Sequence, residues 1–99
     1  MPALRMDDLD NVATVFEEGV VPGTVVEIRD KKGRASRLTA RAAIAYGHKL
    51  ALGPIAAGEP VVKYGEVIGL ATEAVQAGDH VHVHNLESRR GRGDLTDGI

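Results

Sequence analysis

Apolar and polar residues alternate along this chain in short bursts, broken by Gly, Pro and charged turns, which predicts many short strands. Asn11-Val12-Ala13-Thr14-Val15-Phe16 reads as the first strand, and Glu17-Glu18-Gly19 as a turn. Residues 24–29 form a β-branched second strand, followed by the hairpin signal Asp30-Lys31-Lys32-Gly33-Arg34. Residues 35–45 carry mixed signals: Leu38, Arg41, Ala42 and Ala45 suit a helix, whereas Thr39 and Ile44 suit a strand and turn. The reading there is a strand through Leu38, then a short turn or helix before Gly47. Beyond it the pattern predicts strands over 48–52, 60–64 and 67–71, with breaks at Gly53-Pro54 and Gly65-Glu66. The last strand is His80-Val81-His82-Val83-His84-Asn85, where strict alternation turns Val81 and Val83 inward and lines the histidines on the opposite face.

One template recurs: an apolar residue, two small or turn residues, Gly, two mostly polar residues, then an apolar residue. It fits residues 20–26, 44–50, 55–61 and 75–81, with glycines at 23, 47, 58 and 78. The first apolar residue anchors a turn, the glycine takes the left-handed position, and the last apolar residue opens an inward-facing strand. Uneven spacing between the glycines excludes a solenoid. The expected architecture is a mostly β single domain of short bent strands over residues 11–87. A flexible acidic lead-in (1–10, with Asp7, Asp8 and Asp10) precedes it, and an Arg/Gly-rich tail (88–99) follows.

Composition narrows the function classes. Ninety-nine residues make one domain with little room for a deep cleft of its own. One Phe, two Tyr and no Trp argue against a stacking platform for single-stranded nucleic acid, and a net charge of −2 gives no reason to bind nucleic acid or an anionic membrane. The tail arginines read as a solvated terminus, and Arg92-Gly93-Asp94 as a chance tripeptide. The absence of Cys removes disulfide, iron–sulfur and thiol chemistry. With no signal peptide and no apolar run of membrane length, the expected location is the cytoplasm.

The candidate chemistry lies in histidine, since three of the four sit in the last strand. Neighbours in that row would stand roughly 7 Å apart and the outer pair roughly 13 Å. A His-x-His pair can therefore reach one metal ion, but all three from one strand cannot.

Three stretches resemble a known family when taken in order. They are Gly47-His48-Lys49-Leu50-Ala51-Leu52, residues 55–69 with their Lys63-Tyr64-Gly65 turn, and Gly78-Asp79-His80-Val81-His82-Val83-His84-Asn85. Together with Asp10-Asn11-Val12-Ala13, they are similar to the SAF-type N-terminal domain, or separate small subunit, of the altronate/galactarate dehydratase family, and to the small subunit of sulfolactate sulfo-lyase. The resemblance implies a β-clip fold related to antifreeze-protein-like domains. It also implies a role in eliminating water or sulfite from a carboxylate-bearing hydroxy acid such as a sugar acid. A chain ending where the large region would begin resembles the separate small subunit, expected to be inactive without its large catalytic subunit. The divalent metal, typically iron, is expected in that partner.

On this reading His48, Lys49, His80, His82 and His84 form a face turned toward the partner's active site, binding substrate carboxylate or moving a proton. Asn85 would fix an imidazole tautomer or cap the strand end. Lys63 reads as an exposed lysine and Tyr64 as a turn packing residue. A metal held by His48, His82 and His84 is the rival use of the same side chains. The alternative function is a non-catalytic ligand-binding or assembly module that self-associates through its strand edges.

Overall fold

A computed structural model describes residues 2–88. It contains nine strands and no helix among those residues: β1 (Ala3–Arg5), β2 (Val12–Thr14), β3 (Val25–Asp30), β4 (Ala35–Thr39), β5 (Lys49–Ala51), β6 (Pro60–Lys63), β7 (Glu66–Ala71), β8 (His80–Val81) and β9 (Leu86–Ser88). The mostly β expectation holds, and the ambiguous stretch resolves as strand β4 followed by turns. One sheet has the order β4-β3-β1-β2-β5-β8 and the other β6-β7-β9.

Two expectations need correction. Residues 3–5 are not a lead-in outside the domain. β1 lies between β3 and β2, parallel to β3 (Ala3↔Ile28) and antiparallel to β2, with Ala3 fully buried. Its partner β3 lies far along the chain, so local periodicity carries no sign of it. The histidine strand is the second correction: β8 stops at Val81, and the chain then turns, with the Asn85 N–H donating to the His82 carbonyl at 3.1 Å. Val81 is buried as expected, whereas Val83 stands 81% exposed at the turn. The predicted tail lies outside the described residues except for Ser88, which belongs to β9.

The four template turns organise the whole domain, and they do so as two copies of one unit. In the first copy Val20 bridges Ile44, and in the second Ile55 bridges Val75. The Gly23 N–H donates to Ala40 O (2.9 Å) as that of Gly58 does to Ala71 O (2.7 Å). Likewise Gly47 donates to Val15 O (2.7 Å) and Gly78 to Ala51 O (2.8 Å), while Val15 donates to His48 O and Ala51 to Asp79 O. Each copy encloses its own core. Val15, Val20, Val26, Ala40, Ile44 and Leu50 in one have Ala51, Ile55, Val61, Ala71, Val75 and Val81 as counterparts in the other. Strand β5 serves both copies, pairing with β2 on one edge and β8 on the other. It closes the first unit and opens the second.

Polar side chains tie the two sheets together. Asn11 mimics a strand edge: its Oδ1 accepts from Val62 N–H (2.8 Å) and its Nδ2 donates to Pro60 O (2.9 Å). The buried Asp10 carboxylate accepts from Met6 and Asp7 N–H on one oxygen and from Gly65 N–H (2.8 Å) on the other. That bond holds the β6–β7 hairpin tip, where Tyr64 (φ 57°) and Gly65 (φ 74°) are both left-handed, as a two-residue type I′ turn requires.

Candidate functional site

The site forms because β5 is shared. The antiparallel β5–β8 pairing runs Leu50↔His80 and Lys49↔Val81. Continuing it by one residue sets His48 across from His82, and their rings stack with centroids 4.0 Å apart. His80 lies beside both, 5.1 Å from His48 and 5.5 Å from His82 by centroid, with the three ring planes within 17° of parallel. His48 Nδ1 and His80 Nε2 meet at 2.9 Å. His84 reaches the group through His80 alone among the ring contacts, tilted at 5.1 Å. The predicted face therefore exists in space, but the bend after Val81 makes it a cluster. His80 replaces His84 as the third member of the tight set.

Backbone bonds fix these positions. His48 follows the Gly47 turn, and its carbonyl accepts from Val15 N–H at 2.8 Å. Gly78, one turn before His80, touches the first unit so closely that a Cβ there would lie 2.3 Å from Thr39 O. Asn85 is buried and clamps the turn between two histidines. Its Oδ1 accepts from His82 N–H (3.0 Å), and its Nδ2 donates to His80 O (2.8 Å). Of the two roles weighed for Asn85, the backbone cap is the one its amide performs.

Electrostatically the cluster favours the neutral forms of His80 and His82. Burial, then the neighbouring charges of His84, His48, His82 and Lys49, push the His80 pKa down to about 4. His82 is lowered by desolvation, His48, Lys49 and His84 in turn. Half-buried Lys49 is lowered first by burial and then by the charge of Lys63. Its ammonium therefore gains from any anion that settles beside it. Lys63 itself sits 5.2 Å from the centroid of the Tyr64 ring, which is exposed at the hairpin tip and does not pack as the sequence suggested.

An open depression of about 380 Å³ adjoins His48 and His80, walled by Glu18, Ala43 and Tyr46, within the size range of small-molecule sites. Sequence reading passed over Glu18 and Tyr46. Glu18 had read only as a turn residue, and the Val20↔Ile44 bridge is what carries it to the histidines. Among the described residues no helix is long and apolar enough to cross a membrane.

A small all-β domain built from two bent units, presenting a histidine cluster at their junction, is the class this geometry defines. The family model for the altronate/galactarate dehydratase SAF domain matches residues 1–89, and the chain belongs to that family. The (2R)-sulfolactate sulfo-lyase subunit alpha of Chromohalobacter salexigens is 37% identical over 83 residues, covering 82% of this chain and 87% of the relative. The subunit alpha of Paracoccus pantotrophus is 48% identical over 54 residues, 54% of this chain and 81% of that protein. The altronate dehydratase of Escherichia coli is 40% identical over 88 residues, which are 89% of this chain but 17% of the larger protein.

Proposed function

We propose that this chain is the small subunit of a cytoplasmic hydroxy-acid lyase, a sugar-acid dehydratase or a related sulfo-lyase, acting with a large catalytic subunit. The observation that carries the reading is the gathering of four histidines on one open face, with Lys49 near enough for its charge to act on His80 and His82. That face belongs to a chain 37% identical over 83 residues to a sulfo-lyase subunit alpha. Elimination beside a carboxylate removes the α-proton to a base. The bond from the β-carbon to the leaving oxygen or sulfur then breaks, and the resulting enol passes to the ketone. Lys49 is suited to hold the substrate carboxylate, and a neutral His82 to take or return a proton. A divalent metal in the large subunit would stabilise the developing enolate charge. Alone, this chain has the proton-transfer groups but no enclosed site around them, and should be inactive.

The exposed Val83 (81%) and Tyr46 (54%) beside the histidines favour a covered face, and so they also suit the alternative of a non-catalytic assembly module. Assaying altronate, galactarate and sulfolactate with this chain and its large subunit, apart and mixed, separates the two. Turnover only in the mixture, lost in His82→Ala without loss of assembly, is the expected result. Turnover by the large chain alone, unchanged on mixing, would reduce this domain to an assembly module.

A further inference from the structure

We infer that His48, His80 and His82 form a binding site for a transition-metal ion within this chain. One ligand nitrogen from each ring lies within 4.8 Å of those of the other two. His48 Nδ1 and His80 Nε2 are already 2.9 Å apart. Three nitrogens around one tetrahedral ion at ~2.0–2.1 Å stand about 3.4 Å from one another, and the half-exposed His82 ring completes the set by turning out of its stack on His48, so that its in-plane lone pair faces the ion. The ligands come from two separate segments, His48 before β5 and His80 and His82 at β8 and its turn. The β5–β8 register and the Asn85 clamp hold those segments together. The backbone of a site so supported needs little ordering when the ion arrives, and only the rings must turn.

The donor chemistry sets the ion. Three neutral imidazoles favour Zn²⁺, Fe²⁺, Co²⁺ or Ni²⁺ over Mg²⁺ or Ca²⁺, which take oxygen ligands. Three protein ligands leave a fourth position open, and the positive charge of Lys49, which acts on His80 and His82, favours an anionic occupant such as a carboxylate. The site differs from the His48, His82 and His84 set expected from sequence, because the turn after Val81 carries His84 outward and leaves His80 beside His48. It does not rest on the lyase reading, since a binding module could use it equally; with the ion bound His82 is a ligand, and proton transfer passes to His84, which lies outside the set.

The test is titration of the metal-stripped full chain with Co²⁺ and Zn²⁺ by calorimetry, with visible absorption for Co²⁺. One ion per chain is expected, with a Co²⁺ spectrum of a low-coordinate nitrogen site. His48→Ala and His82→Ala should weaken binding beyond the roughly 10–100-fold that loss of an outer partner costs. His84→Ala should leave affinity nearly unchanged. Both decisive residues are only half-buried, and far-UV circular dichroism verifies that their variants fold. If His80→Ala unfolds, the other two variants decide. No saturable binding by the wild-type chain, equal affinity in wild type and His82→Ala, or a loss in His84→Ala matching that in His82→Ala would each overturn the assignment. Turnover is not the readout, so a chain that binds the ion but adds nothing to a large subunit's activity would defeat the lyase reading alone.

Discussion

Replacing Asn85 by alanine deletes two hydrogen bonds at once, the one its Oδ1 accepts from His82 N–H and the one its Nδ2 donates to the His80 carbonyl. Asn85 is only 4% exposed, so water does not readily replace its amide, and both backbone groups lose their partner in a largely dry setting. Each such bond is worth about 1–1.5 kcal/mol net, and an unpaired buried group adds to that, giving a loss of about 2–4 kcal/mol. Two backbone bonds of the same residue, Asn85 N–H to His82 O and Thr72 N–H to Asn85 O, survive the change and keep the turn from vanishing. With a urea m-value of ~1–2 kcal/mol/M for a domain this small, the midpoint should fall by about 1–4 M. Asn85→Asp keeps an acceptor for His82 N–H but sets a carboxylate oxygen against the His80 carbonyl, so it should fall nearly as far. Because the clamp positions two of the three clustered imidazoles, metal affinity in Asn85→Ala should drop by roughly 10–100-fold while every ligand is still present. Equilibrium urea unfolding and Co²⁺ titration read the two effects. A variant within about 0.5 kcal/mol of wild type, the ordinary range for surface changes, would refute the clamp.

Other parts of the structure make sharp expectations. Asp10→Asn turns one carboxylate oxygen into an N–H₂ facing either two backbone donors or one, and should cost about 1–3 kcal/mol in urea unfolding. Tyr64 holds φ at 57° although it is exposed, so Tyr64→Asn should stabilise the chain by about 1 kcal/mol in the same assay; lower activity with the large subunit would then show what the strained tyrosine is kept for. The His80 pKa is pushed down to about 4 from 6.5, so between those values the unfolded chain binds more protons than the folded one. The associated stability is fully present above pH 6.5 and is lost as pH falls through 4. After screening at a half-exposed ring it should amount to about 1 kcal/mol between pH 7 and 4, measured with chelator present as the difference between wild type and His80→Gln.

The parts legible in sequence were those with local causes. The template turns place their own glycine and anchor within a few residues, so all four appear in the structure at the predicted positions. The β3–β4 and β6–β7 hairpins were visible for the same reason. What escaped was set by distant partners. Nothing in Ala3-Leu4-Arg5 announces a central strand, because its stability comes from pairing with Ile28, Arg29 and Asp30. The alternation from His80 to His84 promised a strand, yet the Asn85 side chain takes the His82 N–H and bends the chain instead. Period-2 patterning predicted Val81 correctly and failed at Val83, one turn residue later.

The two-unit architecture explains why the chemistry collects where it does. Each unit closes with a glycine turn followed by a short strand, Gly47 before β5 and Gly78 before β8. Had the two units been independent, His48 and His80 would sit at the closing ends of separate ribbons. Sharing β5 lays those ends side by side, so that one register brings His48 opposite His82 and Leu50 opposite His80. Corresponding positions in the two turns then diverge in chemistry: His48 matches Asp79, and Lys49 matches His80. Asp79 caps its own turn by accepting from Gln76 N–H and leans on Arg41 of the first unit. It therefore serves the fold, which frees His48 and the β8 histidines for the face. A substitution that loosens the junction without touching an imidazole separates these roles. Gly78→Ala would place a Cβ 2.3 Å from Thr39 O, pushing the closing turn of the second unit away from the first. Metal affinity and assembled turnover should then fall together, and a variant that kept both while losing stability would show that the face does not depend on the junction.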